Sequence, residues 1–486
     1  MKTLKAMYKN VSGKVRVGSK MTNEISCYAG VRQGCKLSPL LFSLLINEVG
    51  KSVSTLARGG YQFMPGTQIT KSLMFADDIS MMANTPGSLQ HAINILNVTA
   101  KQYGLKININ KTKIIVFRKG GYLNRHEKWF IEGEKVEVVN QYKYLGYTLT
   151  TKLSGDVALA EYVGRARAKV YSILKALKTL GKVNISIFFK LFDSQVLPTL
   201  LYAGEVWGLT PFDRAEAVHT FACKKLLGVR KQTPNFLVYG ELGRFPIWIE
   251  SKIRAVKYWL KIMKMEDTRI PKLAFYRECN ENKPTHNWSK DVKSLLEQTG
   301  FAYVWETGNL INERAFINEF RQRLRDNFIQ SWSAKCNSDR FQVYKSVKSV
   351  FETEKYLNSI TIAKFRTALA RLRIAASYLH VNRRLIHPNA SIKCAFCPKE
   401  DETELHFLLE CKIYDTLRDK YVYKHFKKGA YISLPNLLAN TSVGIMHDVA
   451  MFTYYAHKTR SERLREMQLR KNILVSIQNK GANGNN

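Results

Sequence analysis

Two groups of side chains in this sequence have the types and spacing to do chemistry. The first is Asp77 and Asp78, adjacent carboxylates in "SLMFADDISMMA" at 72–83, set between two apolar runs. Like charges side by side repel, and each is costly to desolvate unpaired. Bound divalent cations would cancel that repulsion, and phosphoryl transfer by a two-metal centre needs carboxylates that bridge ions roughly 3.5 to 4 Å apart. Asp-Asp also suits a type I turn, where Asp bonds its own backbone, so the pair alone leaves both readings open. The second group is "CAFCPKEDETELHFLLEC", which spaces Cys394, Cys397, His406 and Cys411 as C-x2-C-x8-H-x4-C. Three thiolates and an imidazole suit a closed tetrahedral zinc site, structural because four protein ligands leave no open position. The other cysteines, Cys27, Cys35, Cys223, Cys279 and Cys336, stand singly. That contrast favours a metal over three buried cysteines and a surface histidine, and eight cysteines in so long a chain argue against a disulfide scaffold.

The elements that must hold these groups can be read from periodicity. Residues 14–31 alternate around a Gly-Ser-Lys turn and predict a β-hairpin. In "LSPLLFSLLINEVGKSVS", Leu40, Leu41, Leu44, Leu45 and Val49 recur at helical spacing, with Ser38 and Pro39 as N-cap and first residue. Residues 72–83 predict strand, tight turn, strand, which places the aspartates at a hairpin tip. An amphipathic helix comes next over 88–103, stopped by Gly104, and then one strand in "KIIVFRKG" and one in "YKYLGYTLT". This order suggests a small α+β region, an antiparallel sheet with helices on one face. From 157 the pattern turns helical, with a basic amphipathic helix to Leu180 before Gly181 and further helices at 186–206, 214–227 and 311–380. Residues 277–291 are polar and suit a linker, and "ELHFLLEC" suits a short helix that carries His406 and Cys411 to one side. The last residues, from Ser461, predict a basic helix that dissolves into a polar tail.

Composition narrows the partner. The 486 residues carry 76 Lys and Arg against 39 Asp and Glu, a net charge of +37. A basic field of this size attracts polyanions and releases their counterions on binding. Low-complexity lysine runs are absent, as are an N-terminal apolar signal and an uncharged stretch long enough to span a bilayer, so an intracellular protein, nuclear or cytoplasmic, without membrane partner is expected.

Four segments in order, "GVRQGCKLSPLLFSLLINEV", "FADD", "GLKININKTKIIVF" and "YKYLGYTL", resemble the reverse transcriptases of non-LTR (LINE-type) retrotransposons. The resemblance implies a two-metal RNA-directed DNA polymerase that takes an RNA template, a DNA primer or target and deoxynucleoside triphosphates. It implies that Asp77 and Asp78 bind Mg²⁺, with Phe75 and Ala76 beneath the primer end. Gly30, Arg32, Gln33 and Gly34 would shape the nascent base pair, Lys111 would face the leaving pyrophosphate, and Tyr144, Leu145 and Gly146 would grip the primer. Lys36 stands where the family often has Pro. "LFDSQVLPTLLYAGEVWG" and "KKLLGVRKQTP" resemble the thumb and post-thumb segments, and the Cys/His signature resembles a C-terminal zinc knuckle that contacts RNA or DNA, with Arg383, Arg384, His387 and Lys393 around it.

The expected division is a partial palm at 1–150, a helical thumb and post-thumb at 151–276, a helical connector at 277–385, a zinc-knuckle module at 386–425 and a basic helix and tail at 426–486. The family also uses a third catalytic aspartate on a strand ahead of the "GVRQG" loop, and Glu24 is the only acidic residue before Gly30. The expectation is therefore of a chain that starts inside the palm, without fingers or first aspartate. A catalytically inactive, retrotransposon-derived RNA- or DNA-binding protein is the alternative.

Overall fold

A computed structural model describes residues 2–9, 11–67, 69–118, 120–180, 184–209, 212–280, 287–308, 310–338, 341–383, 387, 389–427 and 429–482. The stop expected at Gly181, residues 281–286 of the linker, Arg384 and the last residues of the tail lie outside these. The chain divides into two compact units, Met1–Gly155 with Met265–Asn282, and Asp156–Lys264 with Lys283–Asn486.

In the first unit the expected hairpin over 14–31 forms as a longer ladder, with Val11 opposite Cys27, Gly13 opposite Ile25 and Arg16 opposite Met21. The Ser38–Leu56 helix starts at the predicted place but is not capped as predicted. Its N-cap position is Leu37, and the Ser38 hydroxyl donates instead to the Arg32 carbonyl at 2.7 Å. Proline within the first turn supplies the helical φ that the start needs without a side-chain cap. The next helix, Pro86–Gln102, begins earlier than periodicity suggests, because Thr85 accepts the Ser88 amide and Pro86 follows it. Gly104, at φ +69°, ends it as expected.

These two helices pack on each other through Val49, Val53, Ala57, Ala92 and Leu96. Ile79 and Met81 point into this layer from the Asp78–Met81 strand, so strand alternation leaves Asp78 and Ser80 on the opposite face. A second small core gathers Ile93, Ile114, Trp129, Ile131 and Val136. Trp129 is tied by its indole N–H to the Pro86 carbonyl at 3.0 Å.

The antiparallel sheet expected here takes another form among the described residues. Its strands, two to four residues long, pair in twos, and Glu137–Val138 runs parallel to Lys113–Ile114. Most of the pairs close across tight turns, which satisfies their hydrogen bonds locally and leaves the ribbon edges open. "YKYLGYTLT" holds two strands rather than one, since Leu145 (φ +46°) and Gly146 (φ +81°) turn the chain between Gln141–Tyr144 and Tyr147–Thr150. Positive φ at both central residues is the requirement of a type I′ hairpin.

The second unit is helical. The Asp156–Thr179 helix buries Ala158, Tyr162, Ala166, Val170, Ile173 and Leu177 and carries its basic residues on the remaining faces. The helix expected at 186–206 is broken into Ile185–Leu191, a π-helical Phe192–Val196, a short turn at Leu197–Leu200 and Gly204–Trp207. Pro198 removes one ladder hydrogen bond, and Ala203 at φ +53° reverses the chain. One continuous hydrophobic core runs from Ala166 to Ala456 and includes Cys394, Phe407, Leu408, Cys411 and Tyr414. The C-terminal helix, Val443–Ala482, begins well ahead of the basic segment that the pattern singles out. Its first half lies in that core through Val449, Ala450, Phe452 and Ala456 and packs along the Ala363–Arg373 helix.

Candidate active site and metal centre

The acidic hairpin pairs Ser72 with Met81, Leu73 with Ser80, Met74 with Ile79 and Phe75 with Asp78. Two residues, Ala76 and Asp77, make the turn. Ala76 has φ +52°, a left-handed conformation that costs an L-residue about 1 kcal/mol or more. The local cost is carried by the anchoring beneath it. Gly50 in the Ser38–Leu56 helix lies so close to the hairpin that a Cβ there would meet the Met74 terminal methyl at 2.3 Å. Phe75, Ala76, Asp77 and Asp78 are all exposed, Phe75 at 63%. Among the described residues neither carboxylate has a hydrogen-bond or ion-pair partner, so two adjacent negative charges face solvent uncompensated.

Tyr144 is held beside this pair. Partial burial pushes its phenol above the ordinary value, and the Asp78 carboxylate adds to the rise. Leu145 and Gly146 form the adjacent turn. Lys111 is exposed at the end of a turn in which its amide donates to Asn108 Oδ1 at 3.1 Å, and the Tyr142 hydroxyl donates to its carbonyl at 3.3 Å. Tyr142 thus ties the lysine turn to the hairpin that carries Tyr144, a contact that the sequence pattern does not signal. Gly30 (φ +95°) and Gly34 (φ +81°) bracket Arg32 and Gln33 in an exposed loop with open space around both glycines. The loop is fixed to the helix behind it by the Arg32 carbonyl, which accepts both Ser38 Oγ and the Cys35 amide. Among the described residues no hydrogen bond joins this loop to the aspartates.

In the second unit the four residues of the Cys/His signature do converge. Their ligand atoms all lie within 4.8 Å of one another. Cys411 Sγ stands 4.0 Å from Cys394 Sγ and 3.8 Å from Cys397 Sγ, and all three thiols are free. A tetrahedron with metal–sulfur bonds of about 2.3 Å has edges of about 3.8 Å, whereas a disulfide needs about 2.05 Å. His406 is buried with neither ring nitrogen hydrogen-bonded; Nδ1 lies 3.4 Å from a Glu410 carboxylate oxygen without the alignment of a hydrogen bond. An orphaned imidazole and three convergent thiols fit a tetrahedral metal ion. Burial pushes the Cys411 thiol up to about 12, with the neighbouring Cys394 and Cys397 adding to it.

Two local features build the cluster. The Cys394 amide donates to the Glu400 carbonyl at 2.8 Å, and the Phe396 amide reaches Cys394 Sγ at 3.4 Å, so the first two cysteines sit in a tight knuckle. The short helix expected next is π-helical over His406–Glu410. Its wider turn is closed by the Cys411 amide on the His406 carbonyl at 2.8 Å, which folds Cys411 back over His406. Behind the ligands, Glu402 forms a buried fork with Arg460 of the C-terminal helix, Nε to Oε1 at 2.6 Å and Nη2 to Oε2 at 2.7 Å. Phe407 stacks on His457 of the same helix at 4.7 Å. Sequence spacing carries no signal for either contact, since the partners are far apart along the chain.

The family described as reverse transcriptase (RNA-dependent DNA polymerase) matches residues 1–149. A Pol polyprotein from the type-1 retrotransposable element R2 of Popillia japonica is 26% identical over 349 residues, covering 65% of this chain and 54% of that protein. A probable RNA-directed DNA polymerase from the transposon X-element of Drosophila melanogaster is 24% identical over 260 residues, 50% of this chain and 26% of its own length. A transposon-derived protein of Caenorhabditis elegans is 27% identical over 162 residues, 32% of this chain and 57% of that one. The chain spans about half the length, or less, of these curated relatives. No helix among the described residues is long and apolar enough to cross a membrane. The chain is therefore similar to the reverse transcriptases of non-LTR retrotransposons, with the match to the polymerase family lying in residues 1–149.

Proposed function

We propose that this chain contributes to RNA-templated addition of deoxynucleotides to a DNA 3′ hydroxyl, with Asp77 and Asp78 as metal-holding carboxylates and Mg²⁺ as the ion. The observation that carries the reading is the uncompensated carboxylate pair at the tip of an anchored hairpin, within the segment that matches the polymerase family. Magnesium bound there would polarise the attacking hydroxyl and neutralise charge on the leaving pyrophosphate. The protein's own part is positional. The exposed Phe75 ring and the turn at Ala76 offer an apolar seat beneath a primer end, and Tyr144, Leu145 and Gly146 stand as the grip beside it. Lys111, exposed in its Asn108-braced turn, would meet pyrophosphate as a cation, and Gly30, Arg32, Gln33 and Gly34 would lie along the nascent pair. In the second unit, Cys394, Cys397, His406 and Cys411 would hold structural Zn²⁺.

A specific observation keeps a second reading in view. Among the described residues the Cys3His cluster is the one group of three or more candidate ligands, and no third carboxylate joins Asp77 and Asp78. Mg²⁺ demands near-octahedral oxygen coordination, which two carboxylates supply only with waters and substrate phosphates. A nucleic-acid-binding protein without catalysis would look the same at this hairpin.

Primer extension on an RNA template separates the two. Polymerase function predicts Mg²⁺-dependent incorporation that Asp77→Asn lowers at least about a hundredfold, since the carboxylate holds ions worth several kcal/mol of transition-state stabilisation. Template affinity would stay within about twofold in the same variant. Absence of incorporation with intact, salt-dependent binding would reject the catalytic reading for this chain and retain the binding one.

A further inference from the structure

The second unit carries a basic and aromatic surface, away from the acidic hairpin in sequence, that neither the polymerase chemistry nor the metal cluster uses. Its centre is Tyr378, 49% exposed. The Arg230 guanidinium lies 4.6 Å from the centroid of its ring, and the Arg371 guanidinium lies 5.5 Å from it. Among the described residues neither arginine has a carboxylate partner. Lys225 and Lys231, both exposed, stand in the same segment as Arg230, again without an ion pair among the described residues.

The surface is built rather than incidental. The Asp213–Leu227 helix ends at Gly228, whose φ is +69° and whose missing Cβ would meet Thr367 of the Ala363–Arg373 helix at 2.7 Å. A glycine is therefore required where the loop crosses that helix. Arg371 Nε donates to the Gly228 carbonyl at 2.7 Å, which fixes the guanidinium by one edge. Lys224 Nζ donates to the Lys231 carbonyl at 2.7 Å, and the Thr233 amide to the Arg230 carbonyl at 3.2 Å, so the loop that bears Arg230 and Lys231 is internally bonded. Tyr378 comes after a turn at Ala375, φ +52°, closed by the Ala376 amide on the Arg371 carbonyl at 2.8 Å. Its ring meets His457 edge-on at 6.4 Å, and His457 in turn stacks on Phe407 beside the Cys3His cluster. His457 is driven down to about 3 by burial, with Arg460 and Arg371 adding their positive field. That imidazole is neutral at physiological pH, and the charge at this surface is arginine and lysine.

The guanidinium groups cover part of the ring, and the part that stays exposed, beside two cations without a carboxylate partner among the described residues, can take a nucleobase whose phosphates meet the arginines. We propose that Tyr378, Arg230 and Arg371 form a contact site for single-stranded nucleic acid, with the base stacked on Tyr378 and the backbone phosphates on the arginines. The proposal extends the polynucleotide reading of the chain and rests on it for the class of ligand alone; it does not require that the acidic hairpin be catalytic.

The test is fluorescence anisotropy of the full chain with labelled single-stranded oligo(dT) and oligo(rU), alongside primer extension. Tyr378→Ala should weaken binding roughly five- to hundredfold, the range seen when a base loses its aromatic platform, whereas Tyr378→Phe should keep most of the affinity. Arg371→Gln should lower the slope of log affinity against log salt by about 0.7, one phosphate contact on a single strand. Cross-linking of 4-thiothymidine-substituted oligonucleotide to the unmutated chain, with subsequent peptide mapping, should label the peptide that holds Tyr378 and needs no variant to fold. Equal affinities of Tyr378→Ala and the parent chain, or cross-links that fall elsewhere, would overturn the proposal. So would displacement of the oligonucleotide by poly-glutamate at matched charge, which would assign the surface to an acidic polypeptide. Loss of incorporation in Asp77→Asn with these binding results unchanged would bear on the polymerase reading alone.

Discussion

At the scale of single residues, the exposed aspartates and the buried polar groups of this protein follow opposite rules. Asp77 and Asp78 stand exposed to solvent, where a carboxylate pays no desolvation penalty and only the repulsion between the two remains for a cation to relieve. His219 instead lies fully buried in the Asp213–Leu227 helix, with Nδ1 at 3.0 Å from Glu216 Oε1; the same oxygen accepts the Tyr239 hydroxyl, and Glu216 Oε2 accepts the Trp248 amide. Burial opposes charge on the ring, but Cys223 and then Glu216 outweigh it and raise His219 to about 9. A base whose folded pKa lies above its ordinary 6.5 binds its proton more tightly when folded. Its contribution is complete below about 6.5 and is lost as pH rises through about 9. Denaturant midpoints measured from pH 6 to 10 should therefore fall across that window, and Glu216→Gln, by removing the acceptor charge, should move the fall to lower pH. A midpoint that is flat over the window in the parent chain would show that His219 is neutral in the folded protein.

At the scale of elements, what is legible in the sequence is whatever a short window determines. The acidic hairpin is legible because two apolar runs flank a two-residue turn, and the Pro86–Gln102 helix because its apolar spacing ends at a glycine. The division of "YKYLGYTLT" into two strands escapes such a reading although Leu145 and Gly146 mark it, since a short run rich in Tyr, Leu and Thr reads as one strand. The Cys/His ligands are legible from spacing, but the π turn that delivers Cys411 over His406 is not, because its closure depends on how the segment packs against Phe452 and His457 of a distant helix. Tyr378 and its two arginines carry no signal at all, being joined only by tertiary contact. The same limit governs Gly243, which ends the Asn235–Leu242 helix at φ +58°; a Cβ there would lie 2.3 Å from the Thr353 amide nitrogen. Backbone cannot rotate aside as a side chain does. Gly243→Ala should thus cost more than the roughly 1 to 2 kcal/mol of a left-handed alanine, because the packed segment at 352–353 must move as well. Urea unfolding measures it, and a loss below about 1 kcal/mol would mean that the crossing of these two segments is looser than the structure has it.

At the scale of the whole molecule, a net charge of +37 and two separate compact units set the behaviour. The charge would make affinity for any nucleic acid steeply salt-dependent, so on the proposed reading specificity would have to come from placed groups such as the hairpin tip and the Tyr378 surface rather than from the field itself. The two units differ in what holds them. Among the described residues the first shows small cores and short ribbons, whereas the second has a long core into which the Cys3His cluster is built, with Phe407 against Phe452 and Glu402 forked to Arg460. Removing a metal from such a cluster leaves three crowded thiols and a buried His406 imidazole with neither nitrogen hydrogen-bonded, and binding free energy at a structural zinc site is folding free energy. Calorimetry with and without a zinc chelator should therefore show one transition that falls by many degrees and one that stays within a degree or two. Cys411→Ser should reproduce the chelated profile and make it insensitive to added zinc. A fall in both transitions would mean that the units unfold together, and no fall in either would mean that the thiols and His406 are satisfied without a metal.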